Sequence, residues 1–207
     1  MRGMALDAGE TLSAMTARFA AAWGLALNVM PMTNDAVATW VESDEGPLPF
    51  QRYFVERQCQ PKVKSVSFAG AATARPAPGV IEAIRSADAV LIAPSNPWLS
   101  VDPILAVPGI RAALADCAGP VIAVSPLVDG KAVKGPTAKL MSELGLAISN
   151  DTICGHYADF LNGLIVHNDD PASDSVAVAR TDTMMRNPTD RERVARAALE
   201  FAKKLRK

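Results

Sequence analysis

The sequence predicts an α/β fold: a Rossmann-like three-layer sandwich around a mostly parallel sheet, with a small α+β insertion near residues 36–70. Three observations carry this. Short apolar runs at 87–93, 121–124 and 164–166 each stop at turn formers, namely Pro94-Ser95-Asn96-Pro97, Ser125-Pro126 and His167-Asn168-Asp169-Asp170. Runs of that kind suit strands buried on both faces of a parallel sheet. Helical segments separate them, roughly 101–115, 136–144 and 152–162, and strand–helix alternation implies parallel pairing with right-handed crossovers. Finally, 49% hydrophobic and 21% charged residues in a chain of 207 can bury one sizeable core without disulfides or metal. One domain over 1–207 is expected, with 36–70 as an inserted subregion.

The elements follow in order. Leu12, Met15, Phe19 and Trp23 recur at spacings of three and four, placing them on one face of a first helix, with Thr11 or Ser13 as its cap. After Gly24 the apolar run 25–30 reads as a strand stopped by Pro31. Residues 36–42 are rich in β-branched and aromatic types and read as another strand, with a turn at Asp44-Glu45-Gly46-Pro47. Residues 63–68 form a further strand and 70–78 a Gly/Ala/Pro loop. The chain closes on a helix whose start fits a capping box, Thr189 to Glu192, and whose apolar face is Val194, Ala198, Phe201 and Leu205.

Composition removes several functions. Lys and Arg total 21 against 22 Asp and Glu, so the net charge of -1 provides no basic field to recruit nucleic acid. The basic end, Lys203, Lys204, Arg206 and Lys207, suits a solvated helix terminus where the dipole favours cations. Cys59, Cys117 and Cys154 are scattered, with no metal spacing and no disulfide pattern, as in a reducing compartment. Two histidines cannot make a three-histidine metal site. The longest uncharged stretch, 19–34, is interrupted by Gly24, Asn28 and Pro31, and Asp7 and Glu10 stand where an export signal needs apolar residues. The expectation is a cytoplasmic protein with no membrane partner.

In parallel sheets ligands bind beyond the carboxyl ends of the strands, which makes the loop 94–100 the first candidate site. Ser95, Asn96 and Ser100 supply hydroxyls and a carboxamide, suited to phosphates or a base, on a loop stiffened by two prolines; its plain alternative is a tight βα turn. Gly130 to Lys139 resembles a P-loop but has Pro136 where the motif needs lysine. What remains is a helix start flanked by Lys134 and Lys139, either an anion site or a capped surface helix. The acidic pairs Asn34-Asp35 and Asp169-Asp170 are either carboxylates for Mg²⁺ or turn formers. His156 and His167 have no paired nucleophile. Phe50-Gln51-Arg52-Tyr53-Phe54-Val55 is either core packing or a wall for a flat ring ligand.

Taken together, these residues resemble the 2-phospho-L-lactate transferase family of coenzyme factor 420 biosynthesis. The likeness runs through Pro31 to Asp35, Phe50 to Val55, Pro94 to Pro97, Pro103 to Ile110, Val124-Ser125-Pro126, Lys134-Gly135-Pro136 and His156-Tyr157-Ala158-Asp159. It implies transfer of a phospholactyl or phosphoenolpyruvyl group from a guanosine diphosphate ester to the hydroxyl of a deazaflavin precursor, releasing GMP with help from Mg²⁺. By the same resemblance, Ser95, Asn96, Ser100, Lys134 and Lys139 would hold the nucleotide diphosphate. Met32, Thr33, Asn34, Gln51 and Tyr53 would face the deazaflavin, Asp35 would be catalytic, and a homodimer is allowed. No metal ligands are assigned. The strand, Gly-rich turn and acidic segment that usually open the family are missing, so the likeness implies its C-terminal two-thirds, about. Asn34, Ala36 and Asn162 depart from the family's Asp, Pro and Asp. The alternatives are a nucleotide-sugar-binding regulator like the related gluconeogenesis-factor family, or an inactive fragment.

Overall fold

The computed structural model describes residues 2–129, 131–132 and 136–206. Two helices open the chain, α1 (Arg2–Asp7) and α2 (Leu12–Ala22). Of the two candidate caps for α2, Thr11 is the one used: its hydroxyl accepts the Ala14 N–H at 3.2 Å. Burial of the expected apolar face fades along the helix, from Met15 at 2% exposure to Trp23 at 75%. Residues 25–30, expected as a strand, form no ladder, and Leu27 is 75% exposed. An apolar run becomes a strand only where a neighbour offers its backbone, and here the first pairing is a single bridge from Thr33 to Pro76.

Three antiparallel strands follow, β1 (Ala38–Ser43), β2 (Gly46–Pro49) and β3 (Val63–Ala69), in the order β2-β1-β3. The β1–β2 turn is stitched by Ser43, whose buried hydroxyl donates to the Gly46 carbonyl at 2.7 Å. A turn of π-helix, Arg52–Glu56, fills the connection to β3. Val41, Leu48, Tyr53 and Val63 are buried in the same cluster as the main sheet, so the insertion at 36–70 shares its core with the rest of the chain.

After α3 (Val80–Arg85) the alternation begins: β4 (Val90–Ile92), a π-helical turn at Pro97–Val101, α4 (Asp102–Leu105) and α5 (Ile110–Ala115). Next come β5 (Val121–Val124), the short hairpin β6 (Leu127–Val128) and β7 (Lys131–Ala132), α6 (Thr137–Glu143), α7 (Asn150–His156), β8 (Gly163–His167), β9 (Ala177–Thr181) and α8 (Pro188–Leu205). The sheet is parallel throughout, in the order β4-β5-β8-β9. Its two central strands feed two cores by simple alternation. Val121, Ala123, Leu164 and Val166 face the large cluster, while Ile122, Val124 and Ile165 face Val194, Ala198 and Phe201 of α8.

The departures from expectation are local. The helix expected over 101–115 is broken at Pro108-Gly109, where Gly109 takes a φ of 89° that other residues resist. The helix expected over 152–162 starts earlier, at Asn150, and stops at His156. The last helix is capped by Asn187, which accepts the Asp190 N–H at 2.9 Å, and not by Thr189. Pro188 at the first helical position explains this earlier start, since it needs no N–H partner there. In the parallel sheet β5 is buried at every residue, and β8 is open only at His167. In β4, an edge strand, Leu91 is 41% exposed, while α8 packs mainly on β5 and β9.

One close approach is diagnostic. A side chain added at Gly119, just before β5, would place Cβ 2.1 Å from the Asp88 carbonyl oxygen, whereas Gly155 in α7 faces open space. Gly119→Ala is therefore expected to lower unfolding free energy by about 1–3 kcal/mol. Gly155→Ala should raise it by about 0.5–1 kcal/mol, and urea unfolding of the two variants reads the opposite signs.

Candidate functional site

A cleft of ≈ 550 Å³ opens at the carboxyl edge of the parallel sheet. Its near wall is Pro94, Ser95 and Asn96 after β4, with Ser125 and Pro126 after β5. Thr137, at the start of α6, closes one end, and Thr183 to Arg186 after β9 form the far wall with Arg191 from the first turn of α8. The cleft therefore lies where parallel strands release their chain ends.

Each wall is held by its own polar groups. The Asn96 Oδ1 accepts the N–H groups of Trp98 and Leu99 at 3.0 and 3.1 Å, capping the π-helical turn with Pro97 directly behind it. Those two donors fix which end of the carboxamide is oxygen. The Nδ2 is then buried without a partner among the described residues, an unmet donor that costs about 1–3 kcal/mol. The Ser125 hydroxyl donates to Asn150 Oδ1 at 2.7 Å and accepts the Leu127 N–H, so its proton is committed to the fold. On the far wall the Thr183 N–H donates to His167 Nδ1 at 3.1 Å.

The cleft's electrostatics are one-sided. Among the described residues two guanidiniums, Arg186 and Arg191, line it, and no carboxylate does. Arg186 is 62% exposed and only 3.5 Å from Asp182, and Arg191 has no carboxylate within ion-pairing distance among the described residues. Met184 and Met185 add a polarisable apolar surface beside them. Guanidinium forks, hydroxyls and an apolar shelf suit a ligand that joins an anion to a flat ring.

Of the residues expected from the sequence, Ser95 and Asn96 line this cleft. Ser100 is exposed and outside the lining; its N–H donates to the Asn96 carbonyl. Lys134 and Gly135 lie outside the described residues. Lys139 is engaged elsewhere: its Nζ donates to the Pro61 carbonyl at 2.8 Å and pairs with Glu143 at 2.6 Å, tying α6 to the insertion. The 31–35 segment forms a separate depression with Arg75, Pro76 and Pro78. There Asp35 accepts the Arg75 N–H at 2.7 Å, Thr33 donates to the Arg75 carbonyl at 2.6 Å, and Asn34 accepts from Ser13. Met32 packs against the large core, Gln51 is exposed, and Tyr53 is fully buried with its hydroxyl facing the Cys59 carbonyl. Burial pushes the Tyr53 phenol well up from its ordinary value. The structure brings Ser95 and Asn96 to the cleft, and leaves the 31–35 and 50–54 segments outside its lining.

The other candidates resolve into structure. Asp170 is buried and accepts the Asp129 N–H, as a turn former does. His156 bonds Asp102 at 2.7 Å and packs between the Trp98 and Tyr157 rings. Among the described residues no group of three His, Cys, Asp or Glu could hold a metal ion. With no carboxylate in the cleft either, the described residues alone do not fit a Mg²⁺ site.

Thr137, Thr183, Met184, Met185, Arg186 and Arg191 were not anticipated as site residues. All but Thr137, which starts α6, depend on β9, whose sequence Ala-Val-Ala-Arg-Thr is too short and mixed to read as a strand. The usable signal was Asn187-Pro188, which marks a helix start directly after Arg186.

Arg111 donates to both Asp159 oxygens at 2.6 and 2.7 Å and to the His156 carbonyl, tying α5 to the turn after α7. Hydrogen bonding from Arg111 holds the Asp159 carboxyl below its ordinary value. The depressed value means that this stabilisation is present above the unfolded carboxylate range, near pH 3.9, and is lost as pH falls through the folded value. Urea unfolding at a series of pH values should therefore show a shallower acid loss for Asp159→Asn than for the wild type. At neutral pH the variant should lose no more than about 1 kcal/mol, since both partners are half exposed.

Comparison with known proteins gives a consistent result. The model of a family described as 2-phospho-L-lactate transferase CofD matches residues 1–204. A 2-phospho-L-lactate transferase of Halobacterium salinarum is 40% identical over 197 residues, covering 95% of this chain and 57% of that protein. A phosphoenolpyruvate transferase of Streptomyces griseus is 35% identical over 217 residues, covering 100% of this chain and 68% of that protein. The chain thus spans little more than half the length of its haloarchaeal relatives. The crystal structure of protein BH3568 from Bacillus halodurans superposes with a TM-score of 0.66 at 18% identity, over 95% of this chain and 69% of that one. That likeness concerns the fold. No helix among the described residues is long and apolar enough to cross a membrane.

Proposed function

The chain belongs to the 2-phospho-L-lactate transferase CofD family, and from that membership we propose that its cleft takes the nucleotide diphosphate of a guanosine diphosphate ester. The reaction is then transfer of that ester's phospholactyl or phosphoenolpyruvyl group to a deazaflavin precursor, as a step of coenzyme factor 420 biosynthesis. The observation that carries the reading is the pair Arg186 and Arg191 in a cleft at the carboxyl edge of the sheet, with no carboxylate among its described lining residues.

The chemistry asked of the protein is modest. The acceptor hydroxyl oxygen forms one bond to the distal phosphorus, the bridging P–O bond breaks, the hydroxyl proton passes to solvent, and GMP leaves with the electron pair. Such displacements run on positioning and charge neutralisation more than on a protein nucleophile. Arg186 and Arg191 supply that neutralisation for the diphosphate and the departing GMP, each able to grip two oxygens at once. Ser95 adds a hydroxyl on the opposite wall, while Met184 and Met185 offer the base an apolar surface. Asp35 holds the Arg75 N–H and lies outside the cleft lining, so no step is assigned to it. Mg²⁺ belongs to the reading as an ion carried by the donor's phosphates, with no residue of the cleft assigned to it.

Calorimetric titration with GDP tests this. Saturable binding is expected, with Arg186→Gln and Arg191→Gln each weakening it by about 10- to 100-fold, the worth of a charge-assisted hydrogen bond. Both side chains are exposed, so the unfolding midpoint should hardly change. A folded wild-type protein that does not bind GDP would reject the reading.

A further inference from the structure

The far wall of the cleft is short, lies between two secondary elements and carries Arg186. Segments of that kind are mobile unless their backbone is tied down. Here one side chain outside the cleft does most of the tying. Arg193, one turn into α8, donates Nε to the Asp182 carbonyl at 3.1 Å, one terminal nitrogen to the Met184 carbonyl at 2.8 Å and the other to Asp190 Oδ1 at 2.6 Å. It also lies 3.3 Å from Asp182 Oδ2. The two carboxylates it touches face the same wall. Asp182 Oδ1 accepts the Met184 N–H at 2.9 Å, and Asp190 Oδ2 accepts the Arg186 N–H at 2.9 Å. One planar guanidinium therefore fixes both carbonyls directly and two amides through their acceptors.

We propose that Arg193 is the positioning residue of the cleft: it holds the backbone of 182–186 so that Arg186 meets the ligand's phosphates. The proposal rests on the nucleotide-diphosphate reading above for its effect on binding, and on the hydrogen bonds alone for its effect on the wall. Arg193 is not in the cleft lining and faces instead a surface groove with Thr189 and Arg196; its role is exercised through Arg186. Lysine would not replace it, since a single ammonium cannot span two carbonyls and two carboxylates at these angles. The carboxylates bear the same mark: the Met184 N–H first, and then Arg193, hold Asp182 below its ordinary range. The Arg193 hydrogen bond does the same for Asp190.

The test compares Arg193→Ala and Arg193→Lys with Arg196→Gln, whose guanidinium pairs with Glu192 on the surface of the same helix. GDP affinity should fall about 10- to 100-fold in both Arg193 variants, the usual cost of a misplaced contact, and stay unchanged in Arg196→Gln. Millimolar ethylguanidinium, which matches the atoms removed, should restore binding to Arg193→Ala. Hydrogen exchange on the ligand-free proteins should show faster exchange at the Met184 and Arg186 amides in the Arg193 variants, with the amides of α8 beyond residue 194 unchanged. Unchanged exchange at those two amides would overturn the pinning, whatever GDP does. A wild type that does not bind GDP would remove the nucleotide reading and the effect on binding. GDP affinity retained with the wall loosened would overturn the claim that the wall sets affinity.

Discussion

The parallel register of β5 and β8 is the constraint from which the rest follows. Ile122 pairs with Gly163, Ala123 with Leu164 and Val124 with Ile165, and alternate residues of both strands feed opposite cores. A slip by one residue would turn each apolar set to the wrong side. Gly163 belongs to this constraint, because Phe201 and Leu205 of α8 occupy the space its side chain would need. With register and α8 both set, the carboxyl ends of β4, β5 and β9 reach one edge together, and the start of α8 lies beside them. The cleft is the consequence.

Much of this was legible in the residues because buried central strands carry a strong pattern. Val121 to Val124 reads as a strand in any context, and Pro94-Ser95-Asn96-Pro97 marks its neighbour's end. The final helix was legible for the same reason, with Val194, Ala198 and Phe201 all buried as its periodicity requires. Edge elements were harder. The apolar run 25–30 looked like a strand but found no ladder partner, and β9 went unread because it has five residues and none of them is buried. The site suffered from the second omission. Without β9 there was no reason to place Thr183 or Arg186 at the sheet's edge, so the available lysines stood in as the anion partners. Lys139 instead serves the insertion, where Pro61 and Glu143 hold it. Tyr53 shows a related limit: an aromatic-dense segment is equally what a ligand wall and a core require, and burial decides between them.

The cleft also shows how polar groups divide between fold and ligand. Asn96 Oδ1 and the Ser125 hydroxyl proton are spent on the protein itself. Asp182 and Asp190, the acids nearest the far wall, are engaged by Arg193 and by backbone N–H groups, and Asp182 also lies 3.5 Å from Arg186. What remains directed at the cleft is positive charge from Arg186 and Arg191. An anion gains most where the surrounding negative charge has already been taken up.

The central claim is that this cleft, and not the depression beside Asp35, receives the nucleotide. A crystal structure of the protein soaked with GDP measures it directly. The diphosphate should lie within hydrogen-bond distance of Arg186 or Arg191, with the base against Met184 or Met185. GDP bound beside Asn34, Asp35 and Arg75, with the cleft empty, would contradict it.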